Sequence, residues 1–274
     1  MMGIRKAYAD GPFGQIHYRS SGTLDASHHI VCLHPAPFSG LAFTQLMPHF
    51  PDDWCVIAPD FPGHGGSDAF RTNATIDDYA AAMLAMVESF NTGARIDLIG
   101  FHTGCLVACE MAIREPAQFQ QLVLIDTPVF RPETRAEHLA QAARPPGFTA
   151  EIETLQASWE RGISRRIESQ GMERSFEMFV EQLRHGEAMN AGFHAGFTYP
   201  VEQRLAEVPV PTTIIATQSS LTEASRRAAS LIPDARLVER LDINRAVLDE
   251  AAEPIAAEIR TILEVELVAT QEEK

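Results

Sequence analysis

Positive charge is scarce in this chain. Against 37 acidic residues stand 22 lysines and arginines, for a formal net charge of −15. That balance leaves no basic footprint for nucleic acid and makes an anionic membrane repulsive. Long apolar runs are also missing. Runs such as Ile30–Leu33 and Cys55–Ala58 are strand-length, and none approaches the roughly 20 residues that span a bilayer. The opening residues MMGIRKAYADG lack the apolar core of a signal peptide, so a cytoplasmic location is expected. Cysteine is limited to four residues. Cys32 and Cys55 fall in apolar strand-like runs. Cys105 and Cys109 share a helix face at i, i+4, and no second Cys/His pair with zinc spacing follows, so all four read as core residues and no metal is expected. Neither a Rossmann glycine fingerprint nor a Walker loop is present, so no cofactor is expected.

What is present suits one sizeable core. The chain has 274 residues, 45% hydrophobic and 22% charged, close to a globular average. Short alternating segments near residues 4–9 and 15–19 flank a turn at Asp10-Gly11-Pro12. Continuous apolar strands are expected at His29–Leu33, Trp54–Ala58, Ile96–Ile99 and Gln121–Ile125. Helices are expected between them: one ending near Phe50, one opened by Asp77-Asp78 and ending near Phe90, and one ending at Arg114, before Pro116. Apolar strands alternating with helices imply a parallel sheet covered on both faces. From 129 to 205 the segments read as helical and no strand stands out. The β/α rhythm returns with a strand at Thr212–Ala216, a helix at 222–231, a strand at Ala235–Leu241 and a helix at 247–268. The expected organisation is an α/β core formed by 1–128 and 206–274, with 129–205 as an inserted helical cap.

The chemistry concentrates at Gly100-Phe101-His102-Thr103-Gly104, between a strand and a helix. This is the G-x-S-x-G nucleophile-elbow spacing with histidine at the centre. A tight passage from strand to helix strains the central residue and projects its side chain at the carboxyl edge of the sheet. Backbone N–H groups of the helix start lie beside it, able to hold an oxyanion.

With that element the chain resembles the α/β-hydrolase superfamily over nearly its whole length. His34-Pro35-Ala36-Pro37-Phe38-Ser39-Gly40 is similar to the loop after the third strand that carries part of the oxyanion hole. Asp60-Phe61-Pro62-Gly63-His64-Gly65-Gly66-Ser67 is similar to the family's D-x-P-G-x-G-x-S loop. The resemblance implies an α/β-hydrolase fold, a mostly parallel sheet flanked by helices, and a helical cap. Family members often dimerise, so a homodimer is the oligomer it admits.

The departures bear on mechanism. His102 takes the nucleophile position. The segment where the acid is expected, Thr217-Gln218-Ser219-Ser220-Leu221-Thr222, has no carboxylate, and Ser219 and Ser220 read as space-filling. Asn244 or Arg245 stands where the family has its histidine, and no histidine follows His194. The standard Ser/Asp/His triad is therefore not retained. The candidate catalytic residues are His102, His34 and Asp126. Asp126 ends the strand after the elbow helix, where it is expected either to orient His102 through a ring nitrogen or to cap a turn before Pro128. His34 is expected to border the same pocket or to be tied down in its loop. His64 reads as structural, and His28 and His29 as solvated. Pro35, Phe38, Phe101, Thr103 and His194 are the candidate substrate-binding residues. Phe148, Trp159, Phe176, Phe179, Phe193, Phe197 and Tyr199 make the helical block aromatic, first as its own core and then as a pocket wall.

The resulting expectation is a hydrolase with a non-standard centre at His102, acting on a small, partly apolar ester, amide or C–C bond. Two alternatives stay open: a catalytically silent small-molecule binder, and lyase-type acid/base chemistry on the same fold.

Overall fold

Three strand segments are buried at every position: β3 (His28–Leu33), β4 (Trp54–Pro59) and β7 (Thr212–Thr217). Burial on both faces demands cover on both faces, and this shapes the computed structural model of the chain. It describes residues 3–26, 28–69, 74–90, 93, 95–142, 152–160, 164, 166–184 and 186–272. With β1 (Arg5–Gly11), β2 (Gly14–Ser21), β5 (Ile96–Phe101), β6 (Phe119–Ile125) and β8 (Arg236–Arg240), the strands form one sheet in the order β1-β2-β4-β3-β5-β6-β7-β8. β1, β2 and β4 pair antiparallel, and every pairing from β4 through β3 to β8 is parallel.

Side chains alternate across the sheet, as the two-residue strand period requires. Val31, Leu33, Leu98, Leu122 and Leu124 pack on one face with α1 (Ile76–Phe90) and α2 (Thr103–Arg114), through residues such as Met83 and Leu106. Ile30, Cys32, Val56, Ile99 and Val123 face the other side and meet Ile255 and Ile259 of α10 (Ala252–Glu272). All four cysteines are buried and free. Between β6 and β7 the described residues hold helices only: α3 (Pro132–Ala142), α4 (Ile152–Trp159), α5 (Ile167–Gln170), α6 (Met172–Leu183), α7 (Ala191–Thr198) and α8 (Val201–Leu205), with a 3₁₀ turn at Gly186–Asn190. α9 (Thr222–Leu231) joins β7 to β8. Phe148 lies outside the described residues.

Three expectations are corrected. The helix expected to end near Phe50 is two separate 3₁₀ turns, Gly40–Phe43 and Met47–His49. Pro48 has no N–H to extend an α-helical ladder, and the Ser39 hydroxyl already accepts from the Leu41 amide. The last helix begins at Ala252, not 247, because Ala246 turns the chain with φ of 44°. His28 and His29 are buried, not solvated. His28 Nε2 lies 2.6 Å from Asp97 Oδ2 on the adjoining strand, and its ring stacks on Trp54 with centroids 4.1 Å apart. His29 Nε2 meets the Leu24 carbonyl at 3.0 Å.

A buried carboxylate ties the site-forming loops together. Asp60 accepts from His17 Nδ1 at 2.7 Å, Arg19 Nη1 at 2.8 Å, and the amides of Gly40 and Gly66, each at 2.8 Å. Burial works against its charge, but the His17 hydrogen bond and the Arg19 cation prevail and hold its pKa below the usual value. A side chain at Gly65 would put a Cβ 2.1 Å from Asp60 Oδ2, and φ there is +54°, so glycine is required. The helical segment joins the same cluster: Glu181 of α6 accepts from the Ser39 hydroxyl and lies 3.7 Å from Arg19 Nη2. Arg174, also on α6, donates to the Leu41 carbonyl at 2.9 Å and to Asp249 at 2.8 Å. Asp60→Ala would leave Arg19 with only the more distant Glu181 carboxylate, and two loop amides without an acceptor, in a dry interior. It is expected to destabilise the fold by about 3–5 kcal/mol, read as a lowered denaturant midpoint; a midpoint within error of wild type would contradict this assignment.

Candidate active site

Strand β5 runs straight into the elbow. Gly100 and Phe101 still pair with Leu124 and Ile125 of β6, and α2 starts at Thr103. His102 alone makes the turn, with φ 50° and ψ −116°, a backbone conformation that a residue with a side chain rarely adopts. It is held there by its amide, which donates to the Ile125 carbonyl at 3.1 Å, and by its carbonyl, which accepts from the Cys105 amide at 2.9 Å. The flanking glycines serve packing. A Cβ at Gly104 would lie 1.9 Å from the Leu33 carbonyl oxygen, and one at Gly100 2.6 Å from the Cys105 Cα. The amides of Thr103 and Gly104 open α2 and have no acceptor inside the helix.

The His102 side chain projects into a cavity of about 680 Å³. The loop after β3 supplies Pro35, Ala36 and Phe38, β5 supplies Phe101, and the turn after β8 supplies Asn244 to Asp249; residues of the helical segment complete the wall. A second recess of about 90 Å³ meets the first at His102. It is mainly apolar, lined by Thr103, Leu106, Phe130, Phe193 and Phe197 among others. Phe101 packs on the His102 ring with centroids 4.0 Å apart. Burial holds the His102 imidazole down to about 4, opposed by the Asp126 charge and reinforced by the Arg166 charge. At neutral pH the ring is therefore neutral, with a free lone pair.

The other candidates divide. Asp126 lines the cavity, also at positive φ, 50°. Its carboxylate is taken by β7: the Thr217 amide donates at 2.9 Å and the Thr217 hydroxyl at 2.6 Å. Among the described residues no hydrogen bond or ion pair within 4.0 Å joins it to His102, so of the two roles the sequence left open the direct ring contact is not made, and Asp126 acts on the ring through its charge. His34 is fully buried and does not line the cavity. Its Nε2 accepts from the Phe61 amide at 2.9 Å, which leaves Nδ1 to donate to the Pro35 carbonyl at 3.0 Å. Both nitrogens are occupied in shaping the loop, and neither is available as a base. Pro35, Phe38 and Phe101 line the larger cavity and Thr103 the smaller recess, while His194 lines neither. His64 is buried, with Nδ1 3.2 Å from the Pro62 carbonyl. Among the described residues no group of three or more His, Cys, Asp or Glu is placed to hold a metal ion, and no helix is long and apolar enough to cross a membrane.

Sequence reasoning missed Arg166, Gln170 and Asp249, all in the cavity wall. Asp249 accepts from Gln170 at 2.6 Å as well as from Arg174. One signal was available: arginines at 161, 165 and 166 form a basic cluster in a strongly acidic chain.

The strand order, the strained elbow and the two glycine-bearing loops are those of an α/β hydrolase. The sequence profile of the alpha/beta hydrolase family matches residues 30–258, and the chain belongs to that family. Among curated relatives it is similar to the pimeloyl-[acyl-carrier protein] methyl ester esterase of Neisseria meningitidis, 29% identical over 146 residues. It is also similar to a serine hydrolase-like protein of Mus musculus, 28% identical over 165 residues. These matches span about half of each chain: 53% of this one and 54% of the esterase, 58% of this one and 52% of the mouse protein. Among solved structures, the enol-lactonase of Burkholderia xenovorans superposes with a TM-score of 0.76 at 21% identity, over 94% of this chain and 100% of its own. An esterase of Thermogutta terrifontis superposes with a TM-score of 0.75 at 18% identity, over 96% and 99%.

The environment of His102 sets its titration. Its ring-proton NMR resonance is expected to move with a midpoint near pH 4; a midpoint near the ordinary 6.5 would contradict the burial described. The same shift links folding to pH. Between 6.5 and about 4 the unfolded chain binds a proton at His102 that the folded chain does not. Stability from this group is therefore complete above 6.5 and is lost as pH falls to about 4. Comparing denaturant unfolding of wild type and His102→Ala across that range isolates the contribution.

Proposed function

We propose that this protein hydrolyses a small, partly apolar ester, thioester or lactone, with the neutral imidazole of His102 as general base. The observation that carries this reading is the strained placement of a neutral His102 where two recesses meet, beside the free amides that open α2. In the proposed reaction the imidazole lone pair takes a proton from water as the water oxygen bonds to the acyl carbon. The Thr103 amide, with an amide of the loop after β3, holds the resulting oxyanion. Collapse of this intermediate breaks the bond to the leaving oxygen or sulfur, which recovers the proton from the imidazolium, and the acid is released. Asp126 favours the charged ring, so its fixed carboxylate steadies the imidazolium that exists only during the reaction. The helical segment 129–205 acts as a cap, and the recess of about 90 Å³ accommodates a small apolar group next to the scissile bond. Similarity to an esterase over part of the chain supports an ester over an amide or C–C bond.

A second reading, ligand binding without turnover, is favoured by a separate observation: among the described residues no hydrogen bond orients the His102 ring and no second histidine lines the cavity.

Short and medium acyl esters, thioesters and lactones distinguish the two. Under the first reading wild type turns over at least one class, and His102→Ala lowers kcat by about 10² to 10⁴-fold. Asp126→Asn retains an acceptor for the Thr217 amide and removes only the charge, so its loss is smaller, on the order of tenfold. Activity unchanged in His102→Ala rejects the His102 mechanism. No turnover in wild type, with a bound compound recovered intact, establishes the second reading.

A further inference from the structure

One cation in the cavity is left without an anion. Arg166 lines the same wall as His102 and Asp126, and its guanidinium carbon sits 5.3 Å from the centroid of the Phe38 ring. That cation–π contact uses the face of the guanidinium and none of its five N–H donors. Among the described residues no carboxylate or carbonyl accepts from it. The nearest carboxylate influence is Asp249, whose two oxygens are already engaged, Oδ1 by Arg174 at 2.8 Å and Oδ2 by Gln170 at 2.6 Å. The other arginine in the wall, Arg245, is paired with Glu250 at 3.1 Å. Burial lowers the pKa of Arg166 and Asp249 opposes the shift, yet an arginine stays charged at any physiological pH. A half-buried cation facing a cavity, with donors that no described residue uses, is placed to pair with an anion brought from outside.

We propose that the cavity takes a substrate carrying a carboxylate, paired with the Arg166 guanidinium, with the scissile bond at His102. This deepens the hydrolase reading and rests on it for the identity of the bond cleaved. A carboxylate fits better than a phosphate. One guanidinium matches one planar, singly charged carboxylate in a bidentate pair, whereas a dianion would face the Asp126 and Asp249 charges with Arg166 the one unpaired cation among the described residues. The chain as a whole is strongly acidic and disfavours anions at long range, so selection has to be made locally, by this side chain. The two recesses then have different tasks: the small apolar one takes an uncharged end, and the large one takes the charged end. Because Arg166 is one of the two charges acting on the His102 ring, neutralising it makes the ring easier to protonate. Carboxylate binding is therefore reported directly at the reacting group.

Two measurements test this, and the first does not depend on turnover. The His102 NMR titration is recorded with butyrate, with butyramide and with neither, on wild type, Arg166→Gln and Arg166→Lys. Butyrate is expected to raise the His102 midpoint in wild type, to have less effect in Arg166→Lys and none in Arg166→Gln; butyramide is expected to leave wild type unmoved. No butyrate shift in wild type, or an equal shift with butyramide, overturns the proposal even if no variant folds. The second measurement compares monomethyl succinate with dimethyl succinate. Wild type is expected to prefer the anionic ester in kcat/KM, and Arg166→Gln to reduce that preference by about 10- to 100-fold. A preference that survives Arg166→Gln overturns the proposal. Butyrate binding with no ester turned over would reject the hydrolase reading and leave the carboxylate site standing. Turnover without preference and without a butyrate shift would do the opposite.

Discussion

The site depends on one constraint: the chain must leave β5 and enter α2 with a single residue between them. That passage forces His102 to φ 50° and ψ −116°, and it brings α2 so close to β3 that Gly104 nearly touches the Leu33 carbonyl. Neither strain nor contact is tolerable alone. They persist because β5 is paired on both sides, by β3 and β6, and because both faces of the sheet are filled. In return the side chain at the bend is fixed at the sheet edge beside unpaired helix amides. A loop of equal length on the surface would not hold it there.

A second constraint brings the remaining walls to that point. Asp60 gathers β2, the loop after β3 and its own glycine loop, and Glu181 extends the cluster into α6. Arg174 adds a further tie, to Asp249 in the turn before α10. The helical segment is thus anchored through buried charge to the loop after β3 and to the turn before α10. Such anchors depend on geometry and need every partner present. This explains why His34 and His64, which look chemically able, belong to the scaffold: their rings brace these loops.

Electrostatics around His102 follow from the same packing. Burial removes water from the imidazole and lowers its proton affinity, and Asp126 and Arg166 pull in opposite directions. In an ordinary triad a carboxylate touches the histidine. Here the carboxylate is tied to Thr217 instead, and only its field reaches the ring. In the proposed reaction this arrangement makes His102 a neutral base whose charged form is stabilised at a distance.

Much of this was legible in the sequence for a local reason. Continuous apolar strands, the glycine-flanked His102 and the Asp60 loop are each encoded within a few consecutive residues, and period and spacing read them directly. The position of His102 between β5 and α2 was legible for the same reason. Where sequence failed, the deciding partner was remote. His28 looks like a surface residue until Asp97 and Trp54 arrive from neighbouring strands. The start of the last helix moved because one residue, Ala246, turns left-handed against the cavity wall. Asp126 met Thr217, 91 residues away, and so was not free to touch His102. Arg166 entered the cavity from a segment whose position only the packing of α6 on the sheet decides. By itself, then, the sequence determined the fold and the residue at its strand-to-helix turn, because both rest on local steric and hydrophobic rules. The tertiary structure alone decided which charges face that residue, because buried charge acts through space and desolvation, and neither can be read along the chain.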